Sequence, residues 1–139
     1  MERSRVHLKS LRVKLPYGFK NKAERFLRDI AAREKLHKTI FIIFVNDSYI
    51  KKLNKVFLGK NKSTDVLSFD LGNEAEIYVS VDTAKRMALK FGVSPELELI
   101  RYALHGLLHI AGYDHKKSSM EPFMQKEEED YLKIWESLY

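Results

Sequence analysis

Three histidines share one short stretch, His105-Gly-Leu-Leu-His109-Ile-Ala-Gly112-Tyr-Asp-His115. Two histidines four residues apart on a helix sit one turn apart on the same face. Both imidazoles can then reach one ion at about 2.0–2.1 Å. Gly112 follows three residues later, where a glycine can take positive φ and end the helix abruptly. The chain can turn back there, so His115 is expected to supply a third nitrogen from a new direction. Three ligands leave a tetrahedral position open, as in catalytic rather than structural zinc sites. One Zn2+ per chain is therefore expected, although imidazole also accepts other transition metals. Such a site should lose its metal as the imidazoles protonate below neutral pH. His7 and His37 have no partner at ligand spacing and are expected to be ordinary core or surface residues.

The spacing His-x3-His-x2-Gly-x2-His matches the metal-binding half of the metzincin signature. In that signature a glutamate directly follows the first histidine and acts as general base. Here the position is Gly106, from which no carboxylate can act. A peptidase reading loses the residue its chemistry most needs.

HGLLHIAGYDH closely resembles the hallmark of the YbeY family of bacterial rRNA maturation factors. A second block is similar to that family's upstream motif: Asn54, then Lys60-Asn-Lys-Ser-Thr64-Asp65-Val-Leu-Ser-Phe69, followed by Glu76-Ile-Tyr-Val-Ser80. The resemblance covers roughly Leu53 to His115. It implies a zincin-like α+β fold and a zinc-dependent endoribonuclease specific for single strands. It further implies a role in 16S rRNA 3′-end maturation and ribosome quality control in the cytoplasm, with the small ribosomal subunit as partner. Two positions depart from the family pattern. Its usual arginine before the lysine of the upstream motif is Leu58 here, and its proline before the threonine is Ser63. The first departure bears on catalytic vigour, and Lys60 or Lys62 are the candidates to supply the charge. The second is expected only to loosen the loop.

A metal held by these histidines would polarise a phosphoryl oxygen and lower the pKa of a bound water toward about 7. The nucleophile stays open between that water and the neighbouring 2′-hydroxyl. Asp114, beside His115, is a candidate to orient an imidazole, or else a turn residue. Asp65 and Thr64 are candidates to face the metal; otherwise Asp65 stabilises a loop or a strand start. Lys60, Lys62, Lys116 and Lys117 are candidate phosphate contacts, since lysine charge supplies sequence-independent RNA affinity. Tyr113 or Phe69 could stack a base. Two other functions stay in view: a zincin-like metalloprotease or other zinc hydrolase, and a non-catalytic ribosome-binding factor with a structural metal.

The rest of the chain must position these groups. At 139 residues it is expected to form a single domain spanning residues 1–139, with a core that needs no disulfide. Cysteine is absent, which excludes thiolate ligands and fits a reducing compartment. The net charge of +6 favours a polyanionic partner. The longest apolar run, Ile40–Val45, is far short of the ~20 residues that span a bilayer, so no membrane association is expected. No secretory signal is visible.

Loose alternation predicts a strand over Arg5–Val13, β-branched and aromatic content predicts a buried strand over Thr39–Val45, and Val66–Leu71 and Glu76–Val81 read as two strands joined through Gly72-Asn73. Helical spacing predicts a helix capped by Asn21 and Glu24, and a short helix after Asn46-Asp47-Ser48. Further helices are predicted over Asp82–Phe91 and from Ser94-Pro95 to Gly112. A last one should start at Ser118 or Ser119, with Met124, Tyr131, Ile134, Trp135 and Leu138 on its apolar side. Four strands and five helices in this order favour an α+β architecture, with helices packed against one mixed sheet.

Overall fold

The computed structural model describes residues 5–112 and 121–139. Within them the chain runs β1 (Arg5–Ser10), α1 (Phe19–Arg33), β2 (Thr39–Val45), α2 (Asp47–Leu58), β3 (Val66–Asp70), β4 (Glu74–Ser80), α3 (Val81–Phe91), α4 (Pro95–Ile110) and α5 (Glu121–Leu138). The strands form one mixed sheet in the order β1-β2-β4-β3. β1, β2 and β4 are parallel, and β3 pairs antiparallel with β4 along an edge. The expected α+β class and four-stranded mixed sheet are what the chain forms.

Side-chain alternation assigns the two faces. Ile40, Ile42 and Phe44 of β2, with Ala75, Ile77 and Val79 of β4, join residues of α1, α4 and α5 in the main core. The intervening Ile43, Val45 and Tyr78 face the other way and meet Ile50 and Leu53 of α2. Helices therefore lie on both faces, and α4 is the one held against β3 and β4 on the main-core side.

Local chemistry sets the element ends. Ser94 caps α4 by accepting from the Leu97 N–H at 3.1 Å, with Pro95 at the first helical position. Asn46 caps α2 through Tyr49 N–H, and Gly59 closes it with φ of 69°.

Several boundaries differ from expectation. β1 stops at Ser10, and Arg12 takes a positive φ of 57°, so the chain bends before Val13. α1 starts at Phe19 behind Gly18, not behind Asn21, because Phe19 is wholly buried and belongs to the helix's apolar stripe. Glu24 forms no capping box. Its carboxylate accepts from the backbone N–H of Leu8 at 3.0 Å, in β1 at the sheet's edge. α3 starts at Val81 because Ser80 ends β4 and caps the helix through Thr83 N–H. On α5 the buried side chains are Met124, Tyr131, Leu132 and Trp135, whereas Ile134 and Leu138 are exposed. The expected start of that helix, Ser118 or Ser119, lies outside the described residues.

Candidate active site

α4 is a buried helix with one half-buried polar stripe. Arg101, His105 and His109 recur every four residues along it, and all three are half-buried. The two imidazoles stand with ring centroids 5.9 Å apart and planes inclined at 61°. This is the one-turn juxtaposition that the spacing predicts. Nδ1 of His105 lies 3.0 Å from Oε1 of Glu128 on α5. An ionised carboxylate only accepts, so Nδ1 is the donor of this pair, and in the neutral imidazole that leaves Nε2 to carry the lone pair. Carboxylate–imidazole pairs of this kind orient metal-binding histidines and raise their basicity. The donor set thus fits a divalent transition metal on chemical grounds. Among the described residues no three His, Asp or Glu side chains gather at ligand distance. The expected third ligand, His115, lies outside them, as do Tyr113, Asp114, Lys116 and Lys117.

Gly106 has a steric role. A Cβ there would stand 2.5 Å from Ile77 Cγ2, 2.9 Å from Ser68 Oγ and 3.3 Å from Val66 Cγ2. The Ser68 hydroxyl also reaches the Gly106 carbonyl at 3.4 Å. A bare backbone at 106 lets α4 lie close on β3 and β4, which fixes the height of the flanking histidines over the sheet. A glutamate at this position would have to occupy space filled by the sheet.

Asp65 opens β3. Its carboxylate accepts from its own neighbour's N–H, Val66, at 2.8 Å, and from Thr64 Oγ1 at 3.3 Å. Its carbonyl accepts from Ser80 N–H at 2.9 Å. These bonds match the strand-start role that the sequence left open beside the metal-facing one. Lys60 and Lys62 are exposed. Their loop hangs on buried Asn54, whose side-chain amide N–H donates to the Lys62 carbonyl at 2.9 Å and whose backbone carbonyl accepts from Lys60 N–H at 3.1 Å. Leu58 is also exposed, at the end of α2. Phe69 packs in the minor core against Phe57 and Tyr78.

Ser63 is tied down: its hydroxyl donates to Asp47 Oδ1 at 3.1 Å. Asp47 also accepts from Ser80, from Thr83 at 3.0 Å and from Arg86 at 2.7 Å. Burial works against ionisation of Asp47, but these hydrogen bonds outweigh it and hold the carboxyl below its usual range. The hub joins α2, the loop before β3, and α3.

Between α3 and α4, with Thr64 and Asp65 also on its wall, lies a cleft of about 680 Å³. Arg86 and Arg101 line it. Arg101 Nε donates to Oε1 of Glu98 at 3.1 Å, and Glu98 is only 4% exposed. Burial first, and Glu98 second, push the Tyr102 hydroxyl far above its ordinary range, so it stays a neutral donor. Sequence reading passed over Asp47, Arg86, Glu98, Arg101 and Glu128. Arg101 was visible in principle, because it continues the histidine stripe by one turn. Glu128 was not, since 23 residues and a second helix separate it from His105.

Comparison with known proteins places this architecture. The model of the family described as Endoribonuclease YbeY matches residues 6–136. A protein named Endoribonuclease YbeY from Nautilia profundicola is 45% identical over 103 residues, 69% of this chain and 71% of its own. The Aquifex aeolicus protein of that name is 39% identical over 98 residues, 66% of this chain and 65% of its own. The solution structure of TM1509 from Thermotoga maritima superposes with a TM-score of 0.65 at 29% identity, covering 95% of this chain and 92% of that one. The chain belongs to the YbeY endoribonuclease family.

Proposed function

We propose that this chain is a zinc-dependent endoribonuclease that cuts single-stranded RNA. Its place of work would be the cytoplasm, in 16S rRNA 3′-end maturation and ribosome quality control on the small ribosomal subunit. Membership of the YbeY family supports the nuclease reading. The observation that carries the metal reading is the His105–Glu128 pair, one turn from His109 on the same face of α4. His105 and His109, with His115, would hold the ion. A bound zinc supplies Lewis acidity at a phosphoryl oxygen and lowers the pKa of a coordinated water.

The chain's own residues do the rest. Glu128 fixes the tautomer and ring orientation of His105. Gly106 provides no carboxylate base, which suits phosphodiester cleavage by an activated hydroxyl better than peptide hydrolysis. Asp65, Asp114 and the lysines at 60, 62, 116 and 117 are the further candidates for orienting groups and RNA contacts. No helix among the described residues is long and apolar enough to cross a membrane.

Zinc-loaded protein should cleave single-stranded RNA, spare duplex RNA and leave casein intact. His109→Ala should lose both the metal, by isothermal titration, and the cleavage, while still binding RNA. Cleavage surviving full removal of the metal would refute the zinc requirement. Casein hydrolysis would favour the peptidase instead. Product ends identify the nucleophile, because a 2′,3′-cyclic phosphate marks attack by the neighbouring 2′-hydroxyl.

A further inference from the structure

We propose that the cleft between α3 and α4 is a nucleotide subsite for single-stranded RNA. Arg86 and Arg101 are its phosphate-binding side chains and Phe91 is its stacking ring. The proposal rests on the endoribonuclease reading for its substrate class. The cleft's volume of about 680 Å³ lies within the roughly 300–1,000 Å³ of pockets that hold one small organic molecule. It adjoins the histidine face directly, because Arg101 stands one helical turn before His105 on α4. A strand with its scissile phosphate at the histidines would therefore pass its next nucleotide over Arg101.

The two guanidiniums are anchored, yet not exhausted. A guanidinium has five N–H donors. Arg86 gives Nη1 to Asp47 and Nη2 to Thr83, at 2.7 and 3.0 Å. Arg101 gives Nε to Glu98, and its Nη1 stands 3.6 Å from exposed Glu129. Among the described residues each keeps further donors for an anion. The carboxylates beside them are engaged: Glu98 takes Arg101 and Tyr102, and Asp65 takes the backbone of Val66. Anchoring by acids holds each planar fork in place before a phosphate arrives, which suits bidentate recognition. Phe91, also on the cleft wall, is 63% exposed and carries the ammonium of Lys90 at 5.7 Å from its ring centroid. An exposed ring beside cationic groups is the arrangement on which unpaired bases stack.

The test compares zinc-loaded wild type with Arg86→Gln, Arg101→Gln and Phe91→Ala on a short single-stranded RNA. Each arginine variant should raise KM at unchanged kcat. Each should also flatten the dependence of log(kcat/KM) on log salt by about 0.7, the share of one phosphate contact on a single strand. Phe91→Ala should raise KM roughly tenfold without changing that slope. Arg101→Gln leaves buried Glu98 without its cation, so Glu98→Gln/Arg101→Gln is the folded companion, checked by circular dichroism. In the wild type, an uncharged methylphosphonate beside the cut should mimic the loss and make Arg101→Gln silent. Salt slopes and KM values unchanged in folded variants would overturn the subsite. RNA left intact by the wild type would instead sink the endoribonuclease reading, and the slopes are then read by fluorescence anisotropy on that intact RNA.

Discussion

Donating its Nδ1 proton to Glu128 fixes what His105 can do with its other nitrogen. If His105 binds metal through Nε2, Glu128→Gln should weaken zinc affinity about 10- to 100-fold while leaving the fold intact, by the usual weight of such supporting bonds. Isothermal titration checks this, and unchanged affinity would mean that the carboxylate only packs the helices together. At this scale the sequence was informative wherever chemistry follows helical spacing. His105 and His109 are brought together as their four-residue interval requires. Partners chosen by tertiary packing left no such trace. Nothing in Glu127-Glu128-Glu129-Asp130 marks one member of an acidic run as the one that meets a histidine. Asp65 has a structural task at the start of β3, where its carboxylate accepts from Val66 N–H.

Among the elements, α4 depends on its closest approach to the sheet. Gly106→Ala sets two effects against each other. Helix propensity favours alanine by up to about 1 kcal/mol. The new Cβ would collide with Ile77, whose side chain is wholly buried and branched next to the strand backbone. Overpacking of this kind costs about 1–3 kcal/mol, so the clash should win. Urea unfolding should show a lower midpoint for Gly106→Ala, and a raised midpoint would show that α4 can lift off the sheet cheaply. All four strands, and the helices from α1 to α5, were legible from composition, periodicity and turn residues. Their starts were less so, because burial overrode local caps. Phe19 drew α1 two residues forward of Asn21, and Glu24 went to Leu8 N–H. Which helix covers which face was not legible, since an alternating strand marks two faces without saying what lies on each.

Across the whole molecule, Asp47 is the joint between the two helical layers. Its carboxyl is held below the ordinary value, so its contribution is present above about pH 4 and is lost as pH falls through the folded-state value. Asp47→Asn should therefore destabilise the protein at neutral pH by roughly 2 kcal/mol, the scale of hydrogen bonds to a charged group. The gap between the two melting curves should close on acidification. A difference that persists unchanged in acid would assign Asp47 a role other than charge.

The His105–Glu128 contact also has a history in time. A chain is made from its N-terminus, so the imidazole leaves the ribosome before its carboxylate partner does. The hydroxyl of Tyr131, on the same helix as Glu128, closes a still longer loop, donating to Glu34 at 2.7 Å across 97 positions. Both bonds wait on the docking of α5. The His105 imidazole therefore meets its carboxylate only after the last helix has been synthesised and has folded back. A nascent chain that still lacks α5 carries both imidazoles but not the carboxylate that holds His105.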